Sequence, residues 1–305
     1  MSTSRRAFLF GRKLPDSGWQ RFCQRLARTC QGLLRVAEDG DVADLAPLRA
    51  QDVRHALALC AEHGVQLALA DASASRPILP TLRVDPSNLN DLAPLQGAPG
   101  FWRAGPGCTL ETLAAAGCTQ FQVEAGADRP VQTLAAWLSG PAPAVLCPTG
   151  HGLASGVAAV DVLLADGSAI TLGPFGAQDR QPLRGATLQA LVPALFELSS
   201  SEDAARCLAA PHWPWAGRLD ALQPVHGGVN LAHLLLGQGG ALAWVESVLV
   251  TAMPAAPQAP ARPATAAGAM AAIDGAGARL ADAVKQRFDP LGRFPALPLR
   301  LSDPY

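Results

Sequence analysis

The stretch Leu231–Val250, LAHLLLGQGGALAWVESVLV, limits what this chain can fold into more than any other. It reads as an apolar helical run, a glycine-rich turn at Gly237-Gln238-Gly239-Gly240, and then a strand. Glycines carry no Cβ, so a turn of this kind lets other groups lie directly against the main chain. A second strong local signal lies upstream. Two apolar runs, Gly156–Leu164 and Ser168–Leu172, meet at Asp166-Gly167, the pattern of a tight β-hairpin.

Helical patterns surround these strands. Ser17–Val36 reads as an amphipathic helix capped by Ser17, with Trp19, Phe22, Leu26, Cys30 and Leu33 or Leu34 at helical spacing. Ala37–Asp44 reads as a polar connection. Ala50–His63 is a second helix, with Asp52 near its start and Gly64 after its end. Val65–Ala70 and Pro80–Val84 are short extended pieces, and Leu89–Leu95 is turn-rich. Thr109 is placed to cap a helix over Leu110–Ala116 that Gly117 closes. Leu188–Leu198 and Ser201–Ala209 form a helical pair, Ala252–Gly268 an Ala/Pro-rich linker, and Ala269–Phe288 a last helix. The order lacks regular βαβ alternation, so an α+β domain in two packed halves is expected.

Composition narrows the function classes. The 305 residues are 49% hydrophobic and 16% charged, with net charge −1. No basic excess exists to neutralise a phosphate backbone, which argues against nucleic-acid binding. No apolar run reaches the roughly 18–20 residues that span a bilayer. The seven cysteines are scattered without a CxxC pair or zinc spacing and read as small buried hydrophobes. The start, Ser4-Arg5-Arg6-Ala7-Phe8-Leu9-Phe10-Gly11, looks like a twin-arginine export motif. Arg12, Lys13, Asp16 and Gln20 follow where an apolar segment would stand, so a cytoplasmic basic arm is expected.

Several segments together, in order, resemble one family. They are Gln51–Val65, the Asp85–Asn90 turn, Trp102–Leu113, Gly156–Ile170, the helical pair between 186 and 210, Asn230–Glu246, and Phe288–Phe294. The resemblance is to the FAD-binding domain of the vanillyl-alcohol oxidase / p-cresol methylhydroxylase type. It is closer to FAD-linked D-2-hydroxyacid dehydrogenases of the glycolate oxidase and D-lactate dehydrogenase kind. It implies a basic arm and helix over 1–35, an FAD-binding domain over 36–255 with a helical insert near 186–210, a linker over 256–268 and a C-terminal helix and tail over 269–305.

The resemblance also implies non-covalent FAD in a groove of three contact regions. In this chain these are Ala70, Asp71, Ala72, Ser73, Ala74 and Ser75; then Thr133, Ser139 and Gly140; then Gly239, Gly240 and Val245. It implies a flavin-holding subunit of a 2-hydroxyacid dehydrogenase, with a partner subunit supplying substrate-binding groups. The residues depart from the family in a consistent direction. Ala70–Ser75 replaces a run of glycines, and alanine and serine disfavour φ > 0 by about 1 kcal/mol or more. Asp71 would repel a phosphate. Ala135-Ala136 replaces a glycine pair, and Trp137 and Trp244 add bulk. Only residues 251–305 follow the flavin-type segment, where the family carries a substrate cap domain. The rival expectation is therefore a cofactor-free relative serving as an assembly or regulatory subunit.

Other residues were weighed for chemistry. His151 and His226 lie in or beside glycine turns, where a catalytic or flavin-facing role is open to them, but a plain loop role is the simpler reading; His233, on the helical run before the cofactor turn, reads as a packing residue. Pro211–Trp215 is either a partner-contact patch or ordinary packing, and Asp128-Arg129 either an anion clamp or a loop ion pair. No metal-ligand set and no nucleophile elbow is present.

Overall fold

The computed structural model describes residues 17–37, 41–70, 79–122, 131–176, 185–213, 216–253 and 267–297. Within them the chain is α+β and two-lobed, as expected. The basic arm, residues 71–75, Asp128-Arg129 and nearly all of the Ala/Pro linker lie outside the described residues.

The first lobe holds α1 (Gly18–Thr29), β1 (Gly32–Val36), β2 (Val42–Pro47), α2 (Ala50–His63), β3 (Gln66–Leu69) and β4 (Thr81–Val84). Its sheet runs β1-β2-β4-β3, with β1–β2 antiparallel and the other pairs parallel. Ser17 caps α1 through the Gln20 amide. Here the long first helix of the sequence reading is corrected. The helix stops at Thr29, and Leu33 and Leu34 lie on an edge strand, Leu33 exposed and Leu34 packed inward. Gly32 makes the break: its φ is 136°, and a Cβ there would meet Ala46 O at 2.2 Å. Val42–Asp44, read as part of a connection, belong to β2. Alternating burial along β2, with Ala43 and Leu45 inward, drives its pairing.

Apolar burial fixes α2 on this sheet. Val53, Ala56, Leu57 and Cys60 are all buried, and Gly64 ends the helix in the left-handed region at φ 69°. Asp52 is buried at its start. Burial alone would raise its pKa, but the Arg49 guanidinium and the Gln31 and Arg49 amides together hold it below the carboxylate range.

The second lobe holds β5 (Leu92–Pro94), β6 (Phe101–Ala104), α3 (Leu110–Ala115), α4 (Leu134–Ser139), α5 (Ala142–Leu146), β7 (Val157–Leu163), β8 (Ala169–Leu172), α6 (Ala186–Ser199), α7 (Glu202–Leu208), β9 (Trp244–Thr251) and α8 (Ala267–Phe288). Its sheet is antiparallel throughout, in the order β5-β6-β9-β7-β8. The Asp166-Gly167 hairpin forms as read, with Gly167 at φ 84° and Ser168 N donating to Asp166 Oδ1 at 2.8 Å. Thr109 and Ser201 cap α3 and α7. The helical pair packs on α8, where Arg279 reaches Asp203 with two bonds of 2.7 and 2.8 Å.

Each lobe has its own core, and the first lobe's cluster also takes in Ala135, Leu163, Ala165, Trp244 and Phe294 from the rest of the chain. Arg54 and Glu246 add a bidentate pair across the lobes at 2.6 and 2.7 Å. Among the described residues no helix is long and apolar enough to cross a membrane.

Candidate functional site

The cleft between the lobes is where the expected contact residues gather. Ser139, Gly240 and Val245 line one cavity there, together with Leu67, Leu69 and Trp244. Gly239 N donates to Ser139 O at 2.9 Å, and Gly237 N to Leu138 O at 2.7 Å, so the second and third regions are stitched together. Thr133 caps α4, accepting from the Ala136 amide, and Gly140 ends that helix. Ala70 follows β3, its N–H bonded to Val84 O. Asp71, Ala72, Ser73, Ala74 and Ser75 lie outside the described residues.

Local chemistry explains the shape of the cleft. Gly237, Gly239 and Gly240 all take positive φ (77°, 67° and 67°), which lets the chain double back before β9. Gln238, buried between them, accepts the Leu242 and Ala243 amides on Oε1. Trp137 turns away from the cleft against Phe121, edge to face with centroids 4.9 Å apart. Trp244 turns into it and is 4% exposed. Phe294, from the segment after α8, enters from the other side at 1% exposure.

A flavin diphosphate needs free N–H donors and room; here the described residues leave the Gly240 amide and Trp244 Nε1 unbonded, but little room. The amides of Gly237, Gln238, Gly239, Ala241, Leu242 and Ala243 all donate inside the protein. So do those of Leu134, Ala135, Ala136 and Trp137 at the start of α4. The cavity left between Trp244, Phe294 and Ser139 offers about 10 Å³ to a water's centre, enough for about one water. Trp244, which lines it, has its Nε1 buried without a partner. The described part of the cleft therefore does not fit FAD as it stands.

A second polar cluster lies in the other lobe. Arg218 and Asp220, both 1% exposed, form a bidentate pair at 2.6 and 3.1 Å. Arg218 also donates to Cys147 O and Pro148 O, and Asp220 accepts the Gly150 amide. The pair thus fastens the loop that carries His151. His151 meets the exposed His226 edge to face at 5.6 Å. His233 is buried and donates from Nε2 to Val157 O at 2.9 Å, and burial pulls its pKa down to about 4. That is a packing role. Trp213 is likewise buried in the core, so this part of Pro211–Trp215 packs rather than presenting a surface.

Sequence reasoning missed the Arg218–Asp220 pair and the cleft role of Phe294. No local signal marks the pair, because its partners Cys147, Pro148 and Gly150 lie some 70 positions away. Phe294 had a signal, an aromatic residue just after a helix-ending glycine turn. All seven cysteines are free thiols, five of them buried. Among the described residues no group of three or more His, Cys, Asp or Glu could hold a metal.

No protein-family model matches the chain, and no curated protein matches it. Many solved structures are similar to it, two of them as follows. One is the 4-ethylphenol oxidase from Gulosibacter chungangensis in its isoeugenol complex, with 15% identity and TM-score 0.47, covering 79% of this chain and 45% of that one. The other is the xylooligosaccharide oxidase from Myceliophthora thermophila C1 in complex with xylobiose, with 13% identity and TM-score 0.39, covering 77% and 43%. The chain spans less than half the length of either.

Proposed function

We propose that this chain is an oxidoreductase-like scaffold of the FAD-oxidase type. In its closed form it works as a cofactor-free assembly or regulatory subunit. One observation carries the reading: in the described part of the interlobe cleft, the cavity lined by Ser139, Gly240, Trp244 and Phe294 has room for about one water. The family resemblance supports the kind of assembly it would serve, one that oxidises a 2-hydroxyacid of the glycolate or lactate type.

A second reading has its own support. Trp244 lines the cavity and has an unpartnered Nε1 donor, and the glycine turn keeps its positive φ values. A spare N–H over a small cavity suits an anionic oxygen. On this reading the chain is the FAD-holding subunit, with Ser139, Gly140, Gly239, Gly240, Val245 and the 70–75 segment at the cofactor. A partner would then contribute the groups that bind the hydroxyacid. The visible spectrum of the purified protein separates the two. A colourless protein that releases no flavin on denaturation supports the scaffold, and a flavin band supports the FAD-holding subunit.

A further inference from the structure

The chain carries its charge unevenly. Residues 1–28 hold seven Lys and Arg side chains against one carboxylate, Asp16, in a chain of net charge −1. Three of those cations stand on α1. Arg21, Arg25 and Arg28 follow at spacings of four and three and so share one face of the helix. Arg21 and Arg28 lie two turns, or about 10 Å, apart along its axis. The inner face of α1 is fixed. Phe22 and Leu26 are fully buried where the helix packs on α2, and Phe22 meets His63 edge to face at 5.8 Å.

Between the arginine face and the end of α2 lies a surface hollow of about 420 Å³, lined by Arg21, Gln24, Arg25, Arg28, Glu62 and His63. Its cations are not alike. Arg25, in the middle, pairs with Glu62 and has its Nη1 3.5 Å from His63 Nε2. Arg21 and Arg28, on either side, are exposed and make no hydrogen bond or ion pair among the described residues. Arg28 stands in the last turn of α1, where a cation complements the helix dipole. Arg21 closes the first turn, which holds no acidic residue, so its charge opposes that dipole. An anion from outside would offset it.

The spacing selects the kind of anion. The middle of the hollow is already neutral, and the two open guanidinium groups are two helical turns apart. A single phosphate is too small to reach both. An anionic bilayer would meet the Glu62 carboxylate with like charge, and a recess between two helices receives an inserted chain better than a flat surface. A partner helix with carboxylates seven residues apart on one face matches the spacing of about 10 Å.

We infer that the α1–α2 hollow is a docking groove for an acidic helix of a partner protein, whose carboxylates bind Arg21 and Arg28 on either side of the Arg25–Glu62 pair. Every residue of the groove belongs to the first two helices, so the inference is independent of what the interlobe cleft holds.

The test uses the full chain and two labelled, alanine-based helical peptides of equal charge, followed by fluorescence anisotropy at low salt. One peptide carries its four glutamates as two pairs seven residues apart, the other as a single run. The spaced peptide is expected to bind at least about fivefold tighter, with affinity falling as salt rises. Arg21→Glu and Arg28→Glu should each weaken it at least about fivefold, while Arg35→Glu, the same change at an exposed position of β1 outside the hollow, stays within about twofold. Binding of neither peptide, equal binding of both, or equal losses in all three variants would overturn the groove. So would displacement by inorganic phosphate at an ionic strength where sodium chloride leaves the peptide bound. Co-sedimentation with phosphatidylserine vesicles that both substitutions abolish, with no peptide binding, would overturn it in favour of a lipid surface. The replaced side chains are exposed, so far-UV circular dichroism should be unchanged. Arg21→Gln and Arg28→Gln give the same readout if a charge reversal disturbs α1.

Discussion

At the residue scale the buried polar groups carry the sharpest expectations. His233 is neutral in the folded protein, with its pKa lowered to about 4 by burial, against an ordinary value of 6.5. The unfolded chain takes up a proton as pH falls through 6.5, while the folded protein resists until about 4. Stability from this group is therefore complete above pH 6.5 and is lost as pH falls toward 4, by roughly 3 kcal/mol at most. Urea unfolding of a His233→Gln variant across this window should show a flatter pH dependence than the parent. Arg218 and Asp220 make a second case. Asp220→Ala leaves a buried guanidinium without its carboxylate and should cost about 3–5 kcal/mol. Denaturant unfolding checks it, and a loss under about 1 kcal/mol would mean the pair is not closed from water. A third follows from Gly152, where an added Cβ would lie 2.5 Å from His233 Nδ1 and 2.7 Å from its Cγ. Gly152→Ala should displace that ring, costing about 1–3 kcal/mol, and break its bond to Val157 O. The His233 imidazole signals in an NMR spectrum would report it.

At the element scale, most of the fold was legible where one local cue decided the outcome. The Asp166-Gly167 hairpin, the Gly64 stop and the Thr109 cap each depend on residues a few positions apart, and each forms as read. The first helix failed for a physical reason. Leu33 and Leu34 continue a helical spacing and equally suit a short strand, and the choice was made by β2, which pairs with this segment from further along the chain. Gly32 is the residue that permits the switch. Gly32→Ala would drive a Cβ into Ala46 O and force a strained φ, so it should cost on the order of 2 kcal/mol and strip protection from the β1–β2 amides. Hydrogen exchange would show whether the loss stays within that pair. The candidate site was legible in the same partial way. Ser139, Gly240 and Val245 do line one cavity, because the glycine turn and the capped helix α4 are local motifs. What lines the cavity from the other side was not legible, because Phe294 stands 50 positions after Trp244.

At the scale of the whole molecule, two separately cored lobes meet over Trp244, Phe294 and the Arg54–Glu246 pair. Burying the Phe294 side chain contributes about 1.5–3 kcal/mol. The surface between the lobes is spent on the chain's own contacts. The proposed reading is thus an oxidoreductase-like scaffold with a shut cleft that serves assembly or regulation. Its most direct test is the melting temperature of the full chain with and without excess FAD. A ligand that binds only the folded state at a hundredfold over its Kd stabilises by about 2.7 kcal/mol, a rise of several degrees for a protein of this size. The account predicts no shift, and a rise of that order that saturates with FAD would contradict it.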